Sequence, residues 1–170
     1  FRDSNWSPDL PTSSEIARSI YTMDTGQEFD DVVTIDLHAV ELIIAALSPL
    51  QLDGIDEAIT GSNILEIIKE LWERPPDAEV DINDDLSKWW RERKNVIPEL
   101  AQGAVKKVLG GDADYIALAT AVVQAFNQRD IQLYSRIEAV APVLANLGWD
   151  GALQPPANEN GDYLALVDTN

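Results

Sequence analysis

The chain has 170 residues, 45% of them apolar, and thirty acidic side chains against twelve basic ones give a formal charge of −18. It has no cysteine and a single histidine, His38, so thiolate chemistry, disulfides, zinc–thiolate centres and multi-histidine metal sites lack the residues they need. The apolar residues cluster in periodic runs, which marks a folded body rather than a disordered acidic tail, and the longest run, Leu42 to Leu47, is far too short to span a bilayer. The sequence opens on Phe1 rather than Met, which reads as a processed product or an excised piece of a longer chain. Its charge is uneven: residues 1–60 carry −10, residues 61–110 carry −2 and residues 111–170 carry −6. Such a field repels nucleic acid and anionic membranes and attracts basic partners.

Residues 1–11, with Pro8 and Pro11, read as an extended N-terminal arm. Thr12-Ser13-Ser14-Glu15 matches a capping box, and the helix it opens carries Ile16, Ile20 and Met23 before stopping near Gly26. Val33, Leu37, Val40, Ile44 and Leu47 recur at helical spacing and predict a central helix from Asp30 or Asp31 to the Ser48-Pro49 stop. A strand at Val32-Val33-Thr34-Ile35 is the alternative, since branched residues favour strands; with no second strand in view to pair with it, the helix is preferred.

Leu50 to Ile59 reads as a short helix or turn closing at Gly61, after which Ser62 or Asn63 caps a helix facing Ile64, Ile67, Ile68 and Leu71 inward. Pro75-Pro76 ends it, and an acidic loop, Asp77 to Asp85, leads to a short amphipathic piece at Trp89-Trp90. A further helix begins near Pro98 and carries Leu100, Val105, Val108 and Leu109 to Gly110-Gly111. Asp112 opens the next, with Ile116, Val122, Val123 and Phe126. Asp130 opens the last, with Ile131, Tyr134, Ile137 and Val140, kinked at Pro142 and capped by Gly148. The expected fold is all-α: an irregular bundle of six to seven helices over residues 12–148, with the N-terminal arm of 1–11 and a polar C-terminal tail of 149–170. Tyr163 to Val167 could pack back on the body or act as a docking strand.

Lys88-Trp89-Trp90-Arg91-Glu92-Arg93-Lys94 is the basic island of the chain. Adjacent tryptophans sit about 100° apart on a helix and cannot share one face. One ring therefore belongs at the edge of a core or on the surface, where Trp and Arg concentrate binding energy. Trp89, Trp90, Arg91, Arg93 and Lys94 are accordingly the candidate partner-binding residues. Direct nucleic-acid binding is not expected, because the surrounding field is negative and few bases are available to meet phosphates.

A calcium loop read from Asp81 would use Asp81, Asn83, Asp85 and Glu92, oxygen ligands at the right spacing. Leu86 stands where the sharp turn needs glycine, and Lys88 where an apolar residue belongs. Helix capping and a solvated loop account better for these acids, so no metal or cofactor is expected. His38, with Asp36 and Glu41 nearby, is the remaining candidate acid or base. No Gly-x-Ser-x-Gly elbow or phosphate-binding loop occurs, and no spacing singles out a catalytic carboxylate pair.

The leading expectation is a non-enzymatic acidic interaction domain, an adaptor, assembly factor or structural piece, whose partner protein presents a basic surface. The alternative is a nucleic-acid mimic that occupies a basic DNA- or RNA-binding protein. A small enzyme with an unidentified carboxylate site is the third reading.

Overall fold

The computed structural model describes residue 4 and residues 6–47, 49–52, 55, 57–72 and 96–154. In chain order the elements are α1 (Leu10–Thr25), β1 (Asp31–Ile35), α2 (Leu37–Leu47), α3 (Ile64–Trp72), α4 (Val96–Gly110), α5 (Tyr115–Gln128), β2 (Ile131–Ser135) and α6 (Ala141–Leu147). β1 and β2 pair as a two-stranded antiparallel sheet, so the all-α expectation is overturned. The chain remains mostly helical, with six helices among the described residues. It divides into two compact units: residues 1–35 with 126–170, and residues 36–125.

In the first unit the strand rejected from the sequence is present. Val32 to Ile35 lie in β1, paired with Tyr134 to Ile131 of β2. The helix expected from Asp130 therefore does not form there. Arg129 takes a left-handed φ of 67° and donates its N–H to the Phe126 carbonyl at 3.1 Å, which ends α5 and releases Ile131 into the strand. Ile131 and Tyr134 satisfy a helical spacing, but Ile131 and Leu133 also alternate. In so short a run the partner strand decides between the two patterns.

α1 begins earlier than the capping box implied. Asp9 is its N-cap, with Oδ2 accepting from the Thr12 N–H at 3.0 Å, which leaves Glu15 free for tertiary contacts. Gly26 closes the helix at φ 70° and donates to the Thr22 carbonyl. Ile16, Ile20 and Met23 do not form its buried face. Leu10, Ser13 and Ser14 are buried, whereas Met23 is 78% exposed. Pro142 starts α6 rather than kinking a longer helix, since its missing N–H costs nothing in a first turn. Gly148 caps α6 at φ 69°, as its position in the sequence suggests.

Trp149 then fastens the return of the chain. Its carbonyl accepts from the Leu133 N–H at 2.9 Å, its ring stacks on Phe126 with centroids 4.5 Å apart, and its Nε1–H donates to Asn127 Oδ1. Gly151 follows with φ 62°, its carbonyl accepting from the Leu10 N–H at 3.1 Å. A Cβ at Gly151 would collide with Gln132 and with Leu10 Cβ, so both conformation and crowding require glycine there.

The second unit holds a contiguous apolar core of Ile44, Leu47, Leu50, Leu52, Ile59, Ile64, Ile68 and Leu100. Full burial of each large aliphatic side chain contributes about 1.5–3 kcal/mol before entropy is counted. α2 starts at Leu37 rather than at Asp30 or Asp31, because Asp36 Oδ1 accepts from the Ala39 N–H at 2.9 Å and caps it. Val33 is thereby lost from the expected stripe and Leu37 is partly exposed, while Val40, Ile44 and Leu47 pack as expected. Leu50 and Ile59, the ends of the segment expected as a short helix or turn, form an isolated antiparallel bridge.

The turn into α3 is a reciprocal cap begun at Thr60. The Ile64 N–H donates to the Thr60 carbonyl at 3.1 Å, and the Thr60 N–H donates to Asn63 Oδ1 at 2.7 Å. Asp114, not Asp112, caps α5, its Oδ1 accepting from the Ile116 and Ala117 N–H groups, both at 3.0 Å.

Candidate functional site

α4 is apolar on two adjacent sides. Leu100 is buried in the core, with Ala104 and Val108 packed against it. Ala101, Val105 and Leu109 each lie one residue further on, which turns them about 100° away from that face. They are exposed together with Ile97, at 41% for Ile97, 55% for Val105 and 81% for Leu109. Ala101, Val105 and Leu109, with Gln102, Lys106 and Gly110, line an open groove of about 630 Å³. The sequence reading placed Val105 and Leu109 on this helix with Leu100 and Val108, without separating an inner from an outer face. The width of the apolar arc, from Leu100 round to Leu109, was the available sign that one helix carried more apolar surface than a single core contact could cover.

His38 lies in the first turn of α2 and is exposed. With Glu41, Leu42, Ala45, Thr60, Gly61 and Ser62 it lines a groove of about 470 Å³. Gly61 makes this wall possible, since a Cβ there would sit 2.9 Å from Ala45 Cα. The groove thus brings one imidazole, one carboxylate and two hydroxyls to one surface. Among the described residues, no group of three or more His, Asp or Glu side chains is arranged to hold a metal ion.

A second polar cluster joins the two chain ends in the first unit. The Tyr134 hydroxyl donates to Glu15 Oε1. Arg18 donates through Nη2 and Nε to Glu15 Oε2 at 3.0 and 3.2 Å, and Arg136 Nε stands 3.5 Å from Oε1. The Tyr134 hydrogen bond, then that from Arg18, holds the Glu15 carboxyl below its ordinary range. Burial, then the Glu15 carboxylate, pushes the Tyr134 phenol up. This arrangement fastens α1 to β2; the carboxylate accepts from Tyr134 and Arg18 and faces the Arg136 cation, which suits a latch better than a general base.

The sequence-derived partner segment, Trp89, Trp90, Arg91, Arg93 and Lys94, lies outside the described residues, as do the calcium-loop candidates Asp81, Asn83, Asp85 and Glu92. No described helix is long and apolar enough to cross a membrane.

Comparison with known families matches residues 1–72 to one described as a protein of unknown function (DUF4012). That stretch spans α1 to α3 and includes Glu15, Arg18 and His38, but not Tyr134, Arg136 or the α4 stripe. No curated protein matches the chain. No solved structure matches it either.

Proposed function

We propose that this chain is a non-enzymatic acidic interaction domain, an adaptor or assembly piece that engages a partner protein with a basic surface. The observation that carries this reading is the solvent-facing apolar stripe of α4. Contiguous exposed apolar surface is uncommon on chains that act alone and marks sites of association. Leu109 and Val105 would bury against the partner, and the charge of −18 would steer its approach. Trp89 and Trp90, with Arg91, Arg93 and Lys94, serve in this reading as a second anchor, argued from sequence alone.

The test is capture of partners from a lysate of the source cells after nuclease treatment, comparing the unaltered chain with a Val105→Glu/Leu109→Glu variant. A saturable protein partner lost with the variant, at unchanged helicity and melting temperature, supports the reading. Capture that is indifferent to the variant removes α4 from it.

A second reading, nucleic-acid mimicry, draws on residues 19–68, which contain ten acids and no Lys or Arg. Its mark would be a set of basic nucleic-acid-binding partners released by modest salt, because a carboxylate-for-phosphate contact is strongly screened.

A further inference from the structure

β1 has a bare edge. Its register pairs Asp31 with Ser135 and Ile35 with Ile131, and the Arg136 N–H donates to the Asp30 carbonyl at 3.0 Å just beyond the ladder. Hydrogen-bonded pairs alternate along an antiparallel ladder. Val32 and Thr34 therefore share the parity of Asp30 and turn their backbone groups toward β2, while Asp31, Val33 and Ile35 turn theirs away. On the opposite side of the sheet the Trp149 carbonyl takes the Leu133 N–H at 2.9 Å, so the outer edge of β2 is partly occupied. Among the described residues no backbone hydrogen bond from outside the sheet reaches Asp31, Val33 or Ile35.

The edge is also open to approach. Val33 and Ile35 are 55% and 54% exposed. Proteins usually blunt such edges with lysine, proline, a bulge or a covering segment. Asp31-Val32-Val33-Thr34-Ile35 contains neither lysine nor proline, and its register runs unbroken. Its electrostatics select the occupant. β1 lies within the fifty residues, 19–68, that hold ten acids and no Lys or Arg. Asp30, Asp31 and Asp36 stand at its two ends. A second copy would bring two chains of −18 edge to edge, which like-charge repulsion opposes.

We propose that the β1 edge accepts an extended segment of a partner protein as a third strand. That segment carries β-branched residues opposite Val33 and Ile35, and Lys or Arg where it passes Asp30, Asp31 and Asp36. Main-chain pairing supplies affinity and the charges supply selectivity, as in other strand additions. This names the partner chemistry within the interaction reading above and rests on it.

The experiment uses the full chain and a labelled synthetic peptide of about ten residues, a strand's length with margin, alternating Val or Thr with Lys. Binding is read by fluorescence anisotropy, and amide exchange at Val33 is followed by NMR. Two further peptides carry N-methyl groups on one or the other alternate set of amides. We expect the unmodified peptide to bind and to slow Val33 exchange. One N-methylated set should bind about ten-fold more weakly or worse, as loss of one or two backbone hydrogen bonds implies. Val33→Pro removes the outward N–H without touching a β1–β2 bond and should weaken binding similarly, whereas Val33→Thr should not. The exchange measurement stands independently if the proline variant fails to fold.

Equal binding by all three peptides would overturn strand addition and leave charge attraction, with the interaction reading intact. Absence of binding would overturn it too. Slow Val33 exchange in the free chain would likewise overturn it, assigning the edge to a second copy if dependent on concentration and to the chain itself if not. Failure of the wider interaction reading shows separately, in the capture experiment with the α4 variant.

Discussion

Asp9 and Leu153, near opposite ends of the chain, meet at one carboxylate: the Leu153 N–H donates to Asp9 Oδ1 at 2.9 Å. The other oxygen, Oδ2, caps α1 through Thr12. One side chain therefore starts a helix and holds the returning C-terminal segment against it. Asp9→Ala should cost about 1 kcal/mol or somewhat more, the cap plus the clamp. Asp9→Asn, which keeps a single acceptor oxygen, should fall between. Thermal melts would rank the three proteins, and amide exchange at Leu153 should accelerate in both variants.

The Glu15 latch predicts a pH dependence with a definite sign. Its folded carboxyl lies below the ordinary value of 4.5, so the unfolded chain binds more protons in that window. The stabilisation is complete above pH 4.5 and disappears as pH falls through the folded value. The melting-temperature gap between the unaltered chain and Glu15→Gln should be widest at neutral pH and narrow below about pH 4. Asp9, lowered chiefly by the Thr12 side chain, adds to the same acid limb. A gap that stays constant from pH 7 to pH 3 would remove Glu15 from this role.

Gly61→Ala should destabilise the second unit by about 1–3 kcal/mol through overpacking. The added Cβ would stand 2.9 Å from the Ala45 backbone Cα and 2.5 Å from its Cβ, and a helix backbone cannot yield as a flexible side chain does. Denaturant unfolding would measure the loss. An unchanged midpoint would show that the α2–α3 approach is loose.

Ser14 should respond in the opposite direction. It is 1% exposed, and its hydroxyl is buried without a hydrogen-bond partner among the described residues. Ser14→Ala removes an unsatisfied polar atom at nearly constant volume and should be neutral or stabilising by up to about 1 kcal/mol. A clear loss of stability would mean that the hydroxyl is used.

The residues themselves determined the charge, the absence of thiol chemistry, and those helices whose apolar positions repeat over several turns. Val40, Ile44 and Leu47 of α2 and Ile64, Ile67 and Ile68 of α3 packed as their spacing required, because a long period admits one geometry. Gly148 was legible for the same local reason: a left-handed cap wants glycine. β1 and β2 were not legible. A five-residue run rich in branched or aromatic side chains satisfies a strand and a helix turn equally well, and the choice lies in pairing Ile35 with Ile131 across most of the chain, which no local pattern encodes. The exposure of Val105 and Leu109 was decided in the same way. Their chemistry asks for burial, but only the packing of α4 through Leu100, Ala104 and Val108 determines which apolar face reaches the core and which is left for solvent.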